Sequence, residues 1–571
     1  MPRREAYAFL ARGISVYCIG ITTGFGFLCL IDLFPPTLQQ KMNKPWLLRP
    51  PRPYRLLFPL PHRIRQAVVV LLLPLLVLSL WQVSSRLGWM PPQILPAPSR
   101  VATTAISLWH GELLSQWAIS LRRLVSGLAA GVALGTLLGG LMGASSRAER
   151  LLYPTVYALA QIPTLGWIPL FMALFGIDDG LKLAVLIKAV LVPVTLHTQR
   201  GIRDIPLPLL EVADSLRLPR FSRLFGLILP AALPVWFTGL KLALSQAWVS
   251  LIVVELLASS QGIGYLMVWG RQLFQLDIVL VCIAVIGLTG LLMETGITRL
   301  EHRLIGWSRS AISRLQPTPD GRAIGLALPL LLLVLWQFSA HHGWLNTRLL
   351  PPPAEVIHAM WQGFREGVLP DALWHSVRRA LTGGALGACA GLLAGLLLGL
   401  SLRAESLFTP TLTLLRQVAL FAWLPLITAW VGNDEQGKVT FIALVAFFPM
   451  LVASHQGVRR RAKDLHDVAR VLQLPWYDRL RVLTLPDAAP ALFTGLRLAM
   501  IYAWLGTIGA EYFMSSGSGI GSLMINAQQL LDMPIILSGM VLTGITGALI
   551  DHIGLRLETH LTRWRHTGVT P

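Results

Sequence analysis

Runs of apolar residues long enough to cross a lipid bilayer recur along the whole chain, and they restrict the fold more than any other feature. A spanning helix needs about 20 predominantly apolar residues. Runs at Leu124–Met142, Val235–Ala258, Ile278–Met293 and Gly383–Leu400 approach or reach this length. Charged residues make up only 13% of the chain, whereas soluble globular proteins carry about 25%. The sequence therefore predicts an all-α polytopic membrane protein.

The second half of the chain repeats the first half at a shift of 255 to 257 residues. Tryptophans, glycines and prolines recur in the same order and at the same spacing. Examples are Leu80–Gln82 with Leu335–Gln337, Trp167–Leu170 with Trp423–Leu426, Thr238–Leu240 with Thr494–Leu496, and Gly262–Gly264 with Gly519–Gly521. One structural unit therefore occurs twice in tandem.

Each unit is predicted to contain six spanning helices, which gives about 12 in the whole chain. In the first unit they lie near residues 67–84, 121–143, 152–175, 181–198, 235–258 and 278–297. An even number of spans makes the two units parallel repeats, related by an axis along the membrane normal. Most arginines of the first unit follow its second, fourth and sixth helices, so the positive-inside rule places these segments in the cytoplasm. The net charge of +20 is explained by this bias, and no nucleic-acid partner is expected.

The predicted domains follow from the repeat and from one polar, proline-containing joint. They are an N-terminal extension at 1–64, a first unit at 65–307 with its core at 118–302, a cytoplasmic linker at 308–322, a second unit at 323–566 with its core at 374–559, and a tail at 567–571. The extension fits the topology poorly, because a span at Ala8–Phe34 would place the basic start of the chain outside. A signal-like segment, an interfacial helix and a start-codon artefact with Met42 as the true start stay open, and we favour the last.

The cytoplasmic loop between the fourth and fifth helices carries the most informative pattern. In the first unit an apolar stripe recurs at the helical positions i, i+3, i+4 and i+7, and the second unit repeats it. The stripes are Leu209, Val212, Ala213 and Leu216, and Leu465, Val468, Ala469 and Leu472. Each loop then ends in Leu-Pro, at Leu229-Pro230 and Leu485-Pro486. A short amphipathic helix in this position suits insertion into a groove on a soluble partner.

This loop resembles the EAA loop of binding-protein-dependent ABC importer permeases, in which Glu-Ala-Ala precedes a glycine and a later Ile-x-Leu-Pro. The surrounding motifs resemble the nitrate/sulfonate/taurine branch, and they include Trp167–Leu170, Ala247-Trp248 and Gly262–Gly264 with their counterparts in the second unit. The resemblance covers about residues 65–310 and 323–566. It departs from the family pattern at the glycine position, which is Arg217 or Gln473, and at Asp467, where glutamate is usual.

The resemblance implies that each loop docks onto one of two ABC ATPase subunits, with a strength that can differ between the loops. The docking residues are Glu211, Val212, Ala213, Leu216, Leu218, Leu229 and Pro230 in the first loop, and Asp467, Val468, Ala469, Leu472, Leu474, Leu485 and Pro486 in the second. It also implies an extracytoplasmic solute-binding protein, a bacterial inner-membrane location surrounded by lipid, and a small solute. The solute expected is an anion such as nitrate, a sulfonate or taurine, or a related small organic compound.

The chain itself is expected to bind no cofactor and to hold no catalytic or metal site, so ATP and Mg²⁺ belong to the partner ATPase. Gly432–Val439 nearly matches a P-loop, but Val439 lacks the hydroxyl that binds Mg²⁺, and two acids would repel phosphate. A secondary transporter with two parallel six-helix repeats is the main alternative, although it leaves the two loops unexplained. A membrane-embedded enzyme is disfavoured, because no polar catalytic arrangement stands out within the helices.

Three ionisable residues inside predicted helices are candidates for a gate or a solute path. Glu255 and Glu511 lie near the outer ends of the fifth helices, where each could instead fix the following Gly-Ile-Gly turn by a buried hydrogen bond. Lys188 lies within the fourth helix of the first unit and is Leu444 in the second. It could favour an anion along the path or pair with an acid such as Glu294.

Overall fold

The first unit of the chain is almost entirely helical. The computed structural model describes residues 5–11, 14–20, 62–89, 91, 93–306, 322–459, 473–514 and 516–563. The helices of the first unit are α1 (His62–Arg86), α2 (Pro98–His110), α3 (Leu113–Ala144), α4 (Ser146–Gln161), α5 (Ile168–Phe175), α6 (Asp179–Arg203), α7 (Leu207–Ser215), α8 (Arg220–Arg223), α9 (Leu229–Leu257), α10 (Ile263–Gln272) and α11 (Leu276–Leu304). A 3₁₀-helix at Thr164–Trp167 precedes α5, and a π-helix at Leu224–Ile228 precedes α9.

The second unit repeats this order of elements. Its helices are α12 (Arg322–His341), α13 (Pro353–Arg365), α14 (Val368–Leu400), α15 (Leu402–Gln417), α16 (Leu424–Trp430), α17 (Glu435–Arg459), α18 (Trp476–Asp478), α19 (Leu485–Phe513), α20 (Ile520–Gln529) and α21 (Met533–Leu561). A 3₁₀-helix lies at Leu420–Trp423 and a π-helix at Arg479–Thr484. The counterpart of α7 falls outside the described residues, as does all of the predicted linker except Arg322.

Eight helical segments in the described part of the chain are long and apolar enough to cross a membrane. They are α3, α6, the continuous stretch from α8 through α9, and α11 in the first unit, and α14, α17, the π-helix with α19, and α21 in the second. Two bent pairs, α4 with α5 and α15 with α16, would each make one further span, and α1 and α12 contribute the shorter apolar stretches Leu72–Arg86 and Ala327–His341. These segments follow one another in the order of the predicted spans.

The third predicted helix, at 152–175, is wrong as a continuous element. Helix α4 ends at Gln161, the chain turns through 89°, and α5 begins at Ile168. Ile162 is extended, with φ −81° and ψ 114°, and Pro163 follows it. A residue before proline disfavours the helical conformation, and proline supplies no N–H to continue a helix. We call residues 162–167 and their counterparts 418–423 the breaks of the two units.

Residues 1–67, which include the N-terminal extension, form one compact body. Strand β1 (Glu5–Ala11) pairs antiparallel with β2 (Ile14–Gly20), with Glu5 opposite Gly20. The interfacial helix that the sequence left open is therefore not found over these two segments, which are strands. Residues 68–571 form a second compact body, which contains both repeated units.

Glycines spaced by four residues bring two spanning helices of each unit into close contact. Gly127, Gly131 and Gly135 on α3 are buried and lie against Leu186, Val190 and Val194 of α6. In the second unit, glycines of α14 lie in the same way against α17. Small residues allow helix backbones to approach closely within membranes, and the contacts of these glycines fit such a packing role.

Replacing Gly131 by leucine is expected to destabilise the protein by about 1–3 kcal/mol, because the core would be overpacked. A Cβ atom at residue 131 would lie 2.6 Å from the Cβ atom of Val190. Gly140→Leu on the same helix is the matched control, since a Cβ atom there meets no atom within 4 Å. Thermal unfolding of the two variants in detergent would show the difference, and equal midpoints would contradict the packing role.

Candidate functional site

The predicted docking loop of the first unit presents an apolar surface to solvent. Within α7 and its C-cap, Val212 is 56% exposed and Leu216 is 66% exposed. Leu209, Leu218 and Leu229 are also exposed. Glu211 is exposed beside this surface, and Pro230 is half-buried. We call Leu209, Val212 and Leu216 the exposed stripe.

Ala213 differs from the rest of the predicted stripe, because it is only 3% exposed. Its carbonyl accepts a hydrogen bond from the N–H of Leu218 at 3.1 Å, and the carbonyl of Asp214 accepts one from the N–H of Arg217 at 3.0 Å. These two bonds form a Schellman motif, which ends a helix by folding the following residues back over it. Ala213 therefore packs within the chain, and the exposed stripe is the surface left for a partner.

The Schellman motif explains why the family pattern has a glycine at this position. Its C′ residue adopts the left-handed conformation, and here that residue is Arg217, with φ +46°. Gln473 of the second unit has φ +50°. Left-handed backbone costs a non-glycine residue about 1–2 kcal/mol. Arg217 and Gln473 therefore both adopt the left-handed conformation that glycine favours.

Arg217→Gly is expected to stabilise the loop by about 1 kcal/mol, because glycine adopts positive φ without steric cost. Chymotrypsin cleavage at Phe221, which is 73% exposed, should then slow about fivefold. Arg217→Ala is the control, since alanine also has a Cβ atom at the positive φ and should leave the cleavage rate unchanged. Faster cleavage of Arg217→Gly would contradict the role given to the left-handed residue.

Each loop joins its spanning helix through a π-helix, and a Leu-Pro pair follows directly. The N–H of Leu229 bonds to the carbonyl of Leu224, and that of Leu485 bonds to the carbonyl of Leu480. Proline clashes with the carbonyl four residues before it, so the wider π-turn accommodates Pro230 and Pro486. The chain runs helically from α8 into α9, and the loop is therefore coupled to a spanning helix.

Only part of the second docking loop falls within the described residues. Leu474 and Leu485 are half-buried and Pro486 is exposed. Asp467, Val468, Ala469 and Leu472 lie outside the described part of the chain. The repeated features that can be compared are the left-handed residue and the π-helix, which both loops share.

Glu255 is fully buried at the end of α9 opposite the docking loop. Its carboxylate accepts hydrogen bonds from the hydroxyl of Ser120 at 2.8 Å, from Nη1 of Arg123 at 3.1 Å and from the N–H of Gly264 at 3.1 Å. Arg123 also pairs with Asp179 at 2.7 Å. These contacts fix the turn that starts α10, which is the structural role predicted as the alternative to a path role.

The second unit repeats this arrangement around Glu511, which is 1% exposed. Its carboxylate accepts from Ser376 at 2.8 Å, from Nη1 of Arg379 at 2.7 Å and from the N–H of Gly521 at 2.8 Å. Arg379 also bonds to Glu435 at 2.8 Å. A role of either acid in a gate or path stays a prediction.

The buried partners of these acids were missed from the sequence, although the repeat contained a signal for them. Neither Arg123 nor Arg379 is among the site residues that the sequence predicts. The repeat shift also aligns Ser120 with Ser376 and the buried Lys182 with Lys438. Polar residues that recur at the repeat shift inside apolar segments are the pattern that could have identified them.

Lys188 lies at the break of the first unit. Its Nζ donates to the carbonyl of Ile162 at 2.7 Å and to Oγ1 of Thr164 at 3.2 Å. The suggested pairing with Glu294 is not found among the described residues: Lys188 donates to Ile162 and Thr164, and Glu294 accepts from Gln417 of the second unit. The ammonium group of Lys188 therefore supplies the hydrogen-bond donor that the carbonyl of Ile162 lacks because the helix is broken there.

The two units contact each other at two equivalent places. In each place the break of one unit packs against the last helix of the other unit. A Cβ atom at Gly544 of α21 would lie 2.8 Å from Cγ1 of Ile162, and one at Gly287 of α11 would lie 3.0 Å from Cγ2 of Val418. These pairs are equivalent under the repeat. We call this contact region the seam.

Leu165 and Phe421 meet at the centre of the seam. Both are 2% exposed, and both lie beside Gly509 of α19. Residue 253 is the counterpart of Gly509 in the first unit and is a valine. Phe421 takes the place of Leu165 in the second unit, and its larger side chain fits because Gly509 has none. Apolar side chains therefore fill the seam at this point.

Comparison with known proteins gives one family for both units. Residues 131–306 and 387–566 match the family described as binding-protein-dependent transport system inner membrane component. The putative aliphatic sulfonates transport permease protein SsuC of Bacillus subtilis is 35% identical over 43% of this chain and 88% of its own length. The protein of the same name from Escherichia coli is 39% identical over 41% of this chain and 90% of its own length. The bicarbonate transport system permease protein CmpB of Synechococcus elongatus is 30% identical over 47% and 98%.

Each of these relatives is matched over most of its own length by less than half of this chain. One relative therefore corresponds in length to about one unit of the repeat. The two matched segments together cover more than half of the residues, and they coincide with the two helical units described above. The chain belongs to the family of binding-protein-dependent transport system inner membrane components, and it carries two copies of the family's domain.

Proposed function

We propose that this chain is the whole transmembrane permease of an ATP-driven importer, with two separate ATPase subunits docked on its two loops. The observation that carries the proposal is the exposed stripe of Leu209, Val212 and Leu216, joined through a π-helix to the spanning helix α9. An apolar helical surface in water favours a partner with a matching groove. A spanning helix that continues from the loop can carry displacement of the loop into the membrane.

The solute path in this proposal runs between the two units, along the seam. The breaks of both units meet there, and non-helical backbone at membrane depth is tolerated where it is buried in protein or lines a cavity. In the closed arrangement Leu165 and Phe421 fill the centre. Separation of the units by ATP-driven movement of the loops would open it.

The solute we propose is a small anion, such as a sulfonate, taurine or nitrate, or a related small organic compound. The names of relatives refer to aliphatic sulfonates, taurine and bicarbonate. A solute-binding protein would deliver the solute from outside, and the loops and both ends of the two-unit core would face the cytoplasm of a bacterial cell. One copy of this chain would serve each transporter, because both permease units are present.

Reconstitution into vesicles with the ATPase and solute-binding subunits tests the proposal. Solute uptake should require ATP hydrolysis, and the assembly should contain one copy of this chain and two ATPase subunits. Uptake by the chain alone, driven by an ion gradient, would favour a secondary transporter. Two copies of this chain for two ATPase subunits would contradict the proposed assembly.

A further inference from the structure

The ammonium group of Lys188 is half-buried, and no carboxylate lies within salt-bridge distance of it among the described residues. It bonds to two neutral oxygens, the carbonyl of Ile162 and the hydroxyl of Thr164. An ammonium group has three N–H donors, so one remains. Charged groups within spanning helices are costly and mark functional sites. Two neutral oxygens and the face of the Trp167 ring are the partners of this ammonium group, and its remaining donor favours a negative partner from elsewhere.

A second donor without an acceptor lies beside Lys188. The indole Nε1 of Trp167 is buried and has no hydrogen-bond partner in the described structure. The centroid of its ring lies 5.8 Å from Nζ of Lys188. Buried donors are rarely left unsatisfied, and each exception needs an explanation. One acceptor held between the ammonium and the indole would satisfy both groups.

The second unit provides an internal comparison. Trp423 has the same buried and unpartnered Nε1, but Leu444 replaces the lysine and Leu420 replaces the threonine. The break of the first unit is thus cationic and polar, whereas that of the second is apolar. Phe421 of the apolar break lies next to Leu165 at the seam.

We propose that Lys188, Thr164 and Trp167 form an anion site at the break of the first unit, which takes the oxyanion headgroup of the solute. The site lies directly behind the seam, because Ile162 contacts both Lys188 and Gly544 of the second unit. The apolar break opposite would face the uncharged part of the solute. The proposal rests on the proposed function, since a path along the seam is what brings a solute to this depth.

Anion-dependent stabilisation of the purified full chain tests the site. In an uncharged detergent, saturating sodium methanesulfonate should raise the midpoint of thermal unfolding by about 2–4 °C over sodium chloride of equal concentration. Lys188→Leu, which copies the second unit, and Trp167→Phe should each remove most of this increment. Trp423→Phe is the matched control and should keep it, because Leu444 stands in the second unit at the position of Lys188.

The increment is compared within each variant, because Lys188→Leu also removes the donor that satisfies Ile162 and lowers the midpoint itself. Absence of an increment in the unsubstituted chain would overturn the proposal, as would an unchanged increment in Lys188→Leu. An equal rise of the unfolding midpoint in sodium chloride and in sodium methanesulfonate would overturn the assignment to an oxyanion. If the unsubstituted chain shows no increment but binds the ATPase subunits, only the anion site is refuted. If the chain does not bind the ATPase subunits, the proposed function is refuted.

Discussion

Glu511→Ala is expected to lower the free energy of unfolding by about 3–5 kcal/mol, the largest stability effect of the substitutions considered for this chain. Arg379 is 1% exposed and would lose one of its two carboxylate partners. The N–H of Gly521 and the hydroxyl of Ser376 would lose their acceptor at the same time. Removing one partner of a buried pair costs more than the pair contributes, because the remaining groups stay desolvated.

Unfolding of the purified variant by heat or by sodium dodecyl sulfate would measure this loss. Glu112→Ala is the control, because Glu112 is exposed at the start of α3 and its removal should change stability by less than about 0.5 kcal/mol. Glu511→Gln should be intermediate, since the amide still accepts hydrogen bonds. Equal stabilities of the Glu511→Ala and Glu112→Ala variants would contradict an anchoring role and favour a path role for Glu511.

The sequence predicts those parts of the fold that depend on the composition of long segments and on the repeat of one unit by the other. Apolar runs and the repeat locate the spanning segments, and the glycines at a spacing of four identify the contact of α3 with α6. The break at Ile162 also had a local signal in Pro163. Val418 has no proline after it, yet the chain still turns through 92° there. Val418 lies against Gly287 of the other unit, and no local pattern encodes such a contact.

The candidate site was predicted in its location but not in its geometry. Periodicity placed Val212 and Ala213 in one stripe, because neighbouring positions of a short helix belong to the same broad face. The structure separates them: Val212 is 56% exposed and Ala213 is 3% exposed. Ala213 also supplies the carbonyl that accepts from the N–H of Leu218 in the Schellman motif. A substitution that tests docking must therefore avoid Ala213.

Val212→Glu combined with Leu216→Glu is expected to abolish binding of one of the two ATPase subunits. Two charges on a surface that is buried only in the complex should weaken docking at least about 100-fold, because an ionised carboxylate that is buried without a partner costs several kcal/mol. The second loop is unaltered and should still bind its subunit. The ratio of ATPase to permease in the purified assembly, without nucleotide, should therefore fall from two to one.

Two further variants separate docking from folding. Ser222→Glu adds a charge at an exposed position of the same loop outside the exposed stripe, and it should keep two ATPase subunits bound. Ala213→Glu should instead reduce the yield of folded chain, because the buried position cannot accept a carboxylate without a partner. If the Val212→Glu, Leu216→Glu variant is folded and still binds two subunits with unchanged affinity, the exposed stripe is not the docking surface. A ratio of one, together with normal thermal stability, would establish that the coupling contact of the first unit lies at this stripe.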